Sequence, residues 1–286
     1  MPCLRPDLIA RMGHSLPAIL ICAAPAVAQQ LQVASQREGL EIVATSELPT
    51  GPGTVDEASV CGFPEADNRS LGAEAVSAAG WLVTNQYGQG EFDYVSFVGR
   101  ATPGTSGSCL YEDGHVAVYR GEELLAVVSP AADSDRDIGM IVGWQDQGGV
   151  RIFDGEYLPA PLADLKVHAE NLALVRPVAT RDSFCGGRIE VPNVYGLPIH
   201  QARILLLDEG WGLHQAQSLA PSDPASDIAQ GEGGLPEIQG CAGTGFGYCN
   251  FQYDWADGVA TLTLTTAGDW PEGSSPPVVN YGAECN

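Results

Sequence analysis

Six cysteines lie beyond residue 28 of this 286-residue chain, at Cys61, Cys109, Cys185, Cys241, Cys249 and Cys285. They constrain the fold more than any other feature, because an even set of cysteines in an oxidising compartment reads as a covalent framework. The compartment is read from the N-terminus. Arg5 and Arg11 precede an apolar run, Leu16 to Val27, that closes on Ala26-Val27-Ala28. This is the order of a secretory signal peptide with small residues at its cleavage site, so residues 1–28 are expected to be removed and mature protein to begin at Gln29. A buried N-terminal helix is the plainer use of the stretch, but Pro17 and Pro25 interrupt it. The run is too short to span a bilayer, and no transmembrane segment is expected later. Cys22 is not read as a lipid-anchored cysteine, because Ile21 stands where a small residue is needed.

Six cysteines allow fifteen pairings, and an internal repeat narrows them. In the later copy Cys185 leads, a helix is expected from Pro198 to Asp208, Gly210-Trp211 ends it, and an acidic loop follows. Cys249 then opens an aromatic run that turns at Asp257-Gly258 into an alternating strand, Ala260 to Thr266. The earlier copy has Cys61, a helix from Gly72 to Ala79 capped by Ser70, Gly80-Trp81, a loop, Cys109 and a strand from His115 to Tyr119. One small disulfide-bearing αβ unit present twice accounts for both runs. It pairs Cys61 with Cys109 and Cys185 with Cys249, leaving Cys241 with Cys285. Bridging Cys61 to Cys109 would remove roughly 4 kcal/mol of unfolded-chain entropy. Zinc is the competing use of the thiols, but no paired CxxC spacing supports it.

Between the copies the chain reads as short strands separated by turns. Leu124 to Ser129, Gly139 to Gly143, Gly149 to Phe153 and Asn171 to Val175 are punctuated by Asp113-Gly114, Arg120-Gly121, Gly148-Gly149 and Asp154-Gly155. The expected fold class is therefore α+β, two related small disulfide-bearing αβ units with a β-rich antiparallel middle region. The expected divisions are residues 1–28, an N-terminal segment and linker over 29–60, a first unit with its β-rich extension over 61–177, and a second unit over 178–286. Leu40 to Ala44 reads as a short strand within the linker segment. The second helix carries Ile199, Ala202, Ile204, Leu205, Leu206 and Leu207, more apolar residues than one face needs, so it is expected to be covered on two sides. Ser218 to Gly234, rich in Ser, Pro, Asp and Gly, reads as a surface loop.

The chain has 13 basic and 36 acidic residues; removing Arg5, Arg11 and Asp7 with the leader leaves 11 against 35, a formal net charge of −24. Such a surface repels phosphate backbones and anionic lipid, which excludes nucleic acid as a partner. Gly104-Thr105-Ser106-Gly107-Ser108 invites comparison with the nucleophile loop of chymotrypsin-like serine proteases. Ser108 replaces an oxyanion-hole glycine of that loop, however, and no histidine precedes it in the mature chain. Asp133, Asp135 and Asp137 alternate as in a calcium loop, but the glycine and terminal glutamate of such loops are missing and Arg136 offsets the charge. Neither calcium nor another cofactor is expected. His115, His168, His200 and His214 form no HExxH or HxH spacing.

Helix, Gly-Trp, the run Cys241-Ala-Gly-Thr-Gly-Phe-Gly-Tyr-Cys249 and an aromatic strand together resemble small cysteine-containing Gly-Trp modules of uncharacterised exported bacterial proteins. The resemblance covers Cys185 to Cys285 and, more loosely, Cys61 to Tyr119, and it brings no activity with it. The residues themselves favour a secreted or periplasmic protein that binds an extracellular or envelope protein without catalysis. Its expected contacts are the exposed part of Trp211, the Ser218 to Gly234 loop, and Thr244, Phe246 and Tyr248 of the Gly-rich loop. An exported hydrolase using Asp254 and Asp257 beside Trp255 is the competing reading, since two carboxylates across an aromatic groove can cleave a glycosidic bond.

Overall fold

A computed structural model describes residues 31–53, 61, 68–144, 146–169, 171–214, 219–220, 222–231, 233–243, 245–256, 258–270 and 275–286. In chain order the strands are β1 (Gln32–Ser35), β2 (Leu40–Ala44), β3 (Leu82–Gln89), β4 (Phe92–Pro103), β5 (Cys109–Arg120), β6 (Glu123–Pro130), β7 (Ile138–Gly143), β8 (Val150–Asp154), β9 (Pro161–His168) and β10 (Leu172–Arg176). They continue with β11 (Arg181–Phe184), β12 (Ile189–Pro192), β13 (Gly212–Leu213), β14 (Ile238–Cys241), β15 (Cys249–Trp255), β16 (Ala260–Thr266) and β17 (Val278–Cys285). The α-helices are α1 (Leu71–Ala78), α2 (Ile199–Asp208) and α3 (Pro224–Gln230).

Strand therefore dominates, which overturns the expected balance of helix and sheet in two related units. Ten of the strands form two five-stranded sheets, ordered β2-β6-β5-β4-β3 and β1-β10-β9-β8-β7. Their facing sides meet in one core, to which the first sheet gives Tyr94, Val116, Val118 and Val128 and the second Ile141, Ile152, Ala163 and Val175. The first sheet is buried on its outer side as well. There Val95, Phe97, Ala117 and Tyr119 pack under Ala73 and Val76 of α1 and under Trp81. Burial on both faces is why Phe92 to Val98 reads as a nearly continuous apolar run rather than as a one-sided strand. The N-terminal segment supplies β2, at the expected Leu40 to Ala44, and also β1, one to each sheet, with β1 parallel to β10.

Residues 181–285 build a second layer pair. A sheet ordered β13-β15-β16-β17, with β14 also on β15, lies under α2, and the β11-β12 hairpin stands beside it. Ile199, Ala202 and Leu206 of α2 pack with Phe251, Tyr253, Leu262 and Leu264. The helix is covered on one side only: Ile204 is 61% exposed and Leu207 39%. Within the stretch expected to be a loop, Asp223 caps α3 by accepting from Ala225 N, and Pro224 fills its first turn.

What recurs is the way two helices end. Gly80 and Gly210 both take positive φ, at 86° and 96°. The N–H of Gly80 donates to Ser77 O and that of Trp81 to Val76 O, while Gly210 N donates to Leu207 O and Trp211 N to Leu206 O. This is one Schellman closure used twice, with a buried tryptophan plugging each helix end. A local motif of this kind fixes neither the sheet beneath it nor its disulfides. Cys61 is bridged to Cys109, but the later cysteines pair as Cys185–Cys285 and Cys241–Cys249, not as Cys185–Cys249 and Cys241–Cys285. The reason is register: Cys241 on β14 lies directly opposite Cys249 on β15, and Cys285 at the end of β17 is carried to Cys185 after β11. Non-reducing peptide mapping is expected to recover these three links.

His115 packs edge-on against Trp81 at 5.1 Å and meets Ser129 Oγ at 2.8 Å. Burial holds its pKa below the usual 6.5, although Asp113 and Asp137 pull the other way. The unfolded chain thus takes up the proton more readily, so stability is fully present above about pH 6.5 and falls as pH drops through that value toward the lower folded one. Urea unfolding at pH 5 and pH 8 should show a smaller acid loss for His115→Gln than for the wild type.

Candidate functional site

The two layer pairs meet along a polar seam, and the seam is centred on Arg151. This residue sits in β8 with its side chain buried, 9% exposed, so its five N–H donors must find acceptors inside the protein. Asp164, on neighbouring β9 and directly opposite Arg151 in register, accepts from Nε at 2.8 Å. Asp182, on β11 beyond the sandwich, accepts from Nη1 and Nη2, both at 2.7 Å. Tyr281 of β17 donates its hydroxyl to Asp182 at 2.5 Å, and Ala179 N donates to Asp164 at 2.8 Å. Burial works against the guanidinium charge, but the hydrogen bonds to Asp182 and Asp164 outweigh it and keep Arg151 above its ordinary pKa. Burial, reinforced by the Asp182 charge, raises the Tyr281 phenol, so it stays protonated and donating at neutral pH.

Above this network opens a cleft of about 150 Å³. Its walls are Trp144, Phe153 and Pro161 from the sandwich and Phe184, Tyr195 and Tyr281 from the C-terminal layers, with Val142 and Asn280 at its rim. Trp144 is positioned by the turn between β7 and β8. Its N–H donates to Gly149 O and its carbonyl accepts from Gly148 N at 2.8 Å. Gly143 is required just before it, since a Cβ there would lie 2.1 Å from the Tyr87 ring. The guanidinium carbons of Arg151 and Arg176 stand 4.6 Å and 5.7 Å from the Trp144 ring. Tyr195 donates its hydroxyl to Pro159 O, a second bond across the seam, and its pKa is pushed up to about 12, by burial first and then by nearby Asp154 and Tyr248.

Every charged group in the cleft is thus already held by another. Arg151 is held by Asp164 and Asp182, and the two phenols are engaged as donors. What remains available is aromatic and aliphatic surface.

The residues singled out from sequence fall elsewhere or beside this cleft. Trp211 is 2% exposed and packs against Trp255 at a tilt, ring centroids 5.2 Å apart, so it is a core residue and leaves no exposed part for a partner. Phe246 and Tyr248 are half-buried and touch each other edge-on at 5.9 Å, on the loop that the Cys241–Cys249 bridge closes. Thr244 and Asp257 lie outside the described residues. Asp254 is paired with His214, whose Nδ1 is 2.9 Å from Oδ2, and accepts from Thr261 Oγ1 at 3.3 Å. The pair forms because β13 runs against β15 with Gly212 opposite Asp254. Among the described residues no group of three His, Cys, Asp or Glu side chains is arranged to hold a metal ion. Nor is any described helix long and apolar enough to cross a membrane. Sequence reading missed Arg151, Asp164, Asp182 and Trp144. Arg151 interrupts the expected strand Gly149 to Phe153, but Asp164 and Asp182 lie in stretches not read as strands, and nothing in the spacing said that the three converge.

Compared with known proteins, the chain matches no family model, no curated protein and no solved structure.

Removing one member of a buried ion network leaves the others uncompensated, at a cost of about 3–5 kcal/mol. Asp182→Ala is expected to lower unfolding free energy in urea by that amount, whereas Arg100→Ala, in the exposed Arg100–Glu112 pair, should leave the midpoint in place.

Proposed function

We propose that the protein is exported, its first 28 residues serving as a signal peptide, and that it binds an extracellular or envelope protein without turning over a substrate. Three disulfides agree with an oxidising destination. The observation that carries the binding reading is the junction cleft, whose aromatic walls stand over an ion network with no free acid, base or nucleophile. A preformed apolar depression with its polar groups already satisfied gives contact area and shape, which is what an interface needs at its centre.

A hydrolase centred near Trp255 is the second reading, and the His214–Asp254 pair is what favours it. A carboxylate on Nδ1 fixes the imidazole with Nε2 as the basic nitrogen, the arrangement of a general base.

One experiment separates the two. Mature protein is used to recover partners from a periplasmic or extracellular extract and, in parallel, is assayed on glycoside, ester and peptide substrates. Binding predicts that Phe184→Ala abolishes recovery of a specific partner while His214→Ala does not, with no turnover by either. Turnover that is lost in His214→Ala and retained in Phe184→Ala would establish the hydrolase instead.

A further inference from the structure

Resting on the binding reading, we propose that the junction cleft is an anchor pocket for a single aromatic ring, presented as a side chain by a positively charged segment of the partner protein. Size decides the first part. Pockets that enclose whole small ligands run to about 300–1,000 Å³. At about 150 Å³ this cleft is well below that range. An apolar cavity of about that volume takes a benzene-sized group. One ring therefore fits and the molecule that bears it must lie outside.

Chemistry decides the second part. Five ring systems, Trp144, Phe153, Phe184, Tyr195 and Tyr281, bound the space and can receive a ring edge-on or offset. A carboxylate would find Arg151 with its donors already given to Asp164 and Asp182. An ammonium would find Asp182 already accepting from Arg151 and Tyr281, with Arg176 close by over Trp144. An uncharged ring breaks none of these bonds and needs none in return.

Charge complementarity decides the third part. The chain carries 36 acidic against 13 basic residues, so a protein segment that docks here is favoured if it is cationic on either side of its anchor. Asp146 strengthens that bias beside the cleft, where it accepts from Gly186 N between the segments that carry Trp144 and Phe184.

The test uses the full disulfide-bonded chain, the peptides Lys-Lys-Phe-Lys-Lys, Lys-Lys-Ala-Lys-Lys and Glu-Glu-Phe-Glu-Glu, and free phenol, each titrated by calorimetry. Val142→Trp and Asn280→Trp fill the cleft from rim positions that are exposed, so neither disturbs the core. The basic phenylalanine peptide should bind saturably, at least tenfold tighter than each of the other three ligands. Its binding should weaken at least tenfold in both variants and fall as salt is raised. The proposal is overturned if the phenylalanine and alanine peptides bind alike, if phenol binds as tightly as the peptide, if neither variant weakens binding, or if no peptide binds. Should it be overturned while Phe184→Ala still abolishes partner recovery, the binding reading stands with an anchor of different chemistry. Should recovery be indifferent to every cleft substitution, the binding reading falls as well.

Discussion

Burying a guanidinium costs several kcal/mol unless carboxylates are brought in with it, and in this protein that requirement ties together strands that belong to different layers. Arg151 on β8 draws Asp164 from the neighbouring strand and Asp182 from β11, and Tyr281 on β17 follows by donating to Asp182. The hydrophobic clusters do not make this connection. The sandwich clusters are built from residues before 178, and the C-terminal cluster begins at Ile189. The junction between them depends instead on hydrogen bonds: the Arg151 network, Tyr195 to Pro159 O, Gly186 N to Asp146, and Gln147 to Arg181 O at 3.4 Å.

The cleft is a consequence of that arrangement. The polar floor joins the two layers below, and above it Trp144 and Phe153 on one side face Phe184, Tyr195 and Tyr281 on the other. Tyr281 is tied to the network through Asp182, Trp144 lies against the Arg151 guanidinium, and Tyr195 is fixed separately by Pro159 O. Rings restrained in this way suit recognition, because less side-chain freedom is lost when a partner group enters.

Much of the local structure was legible in the sequence. Ser70 caps α1 by accepting from Ala73 N, Gly80 and Gly210 end their helices with positive φ, and most of the alternating runs are strands. Long-range pairing was not legible. The identity of the Gly-Trp closures suggested two copies of a domain, because a six-residue hydrogen-bonding pattern looks the same whether the helix lies on a sandwich or on a single sheet. The disulfides followed from register between β14 and β15, which only the folded sheet reveals. Asp223-Pro224 did carry a helix start, overshadowed by the loop-like composition around it. The residues of the candidate site were hidden for a related reason. Arg151 and Asp164 each interrupt a largely apolar strand, Asp182 lies in the polar stretch Arg181-Asp-Ser-Phe184, and a buried charge in a strand is intelligible only beside its partner.

Calorimetric unfolding of the wild type and of Asp182→Asn, with all three disulfides intact, tests most directly whether this ion network couples the layers. One cooperative transition is expected for the wild type and two separated transitions for the variant, the sandwich and the C-terminal layers melting independently. A variant that still unfolds in one transition at the wild-type temperature would show that the junction is held by something else.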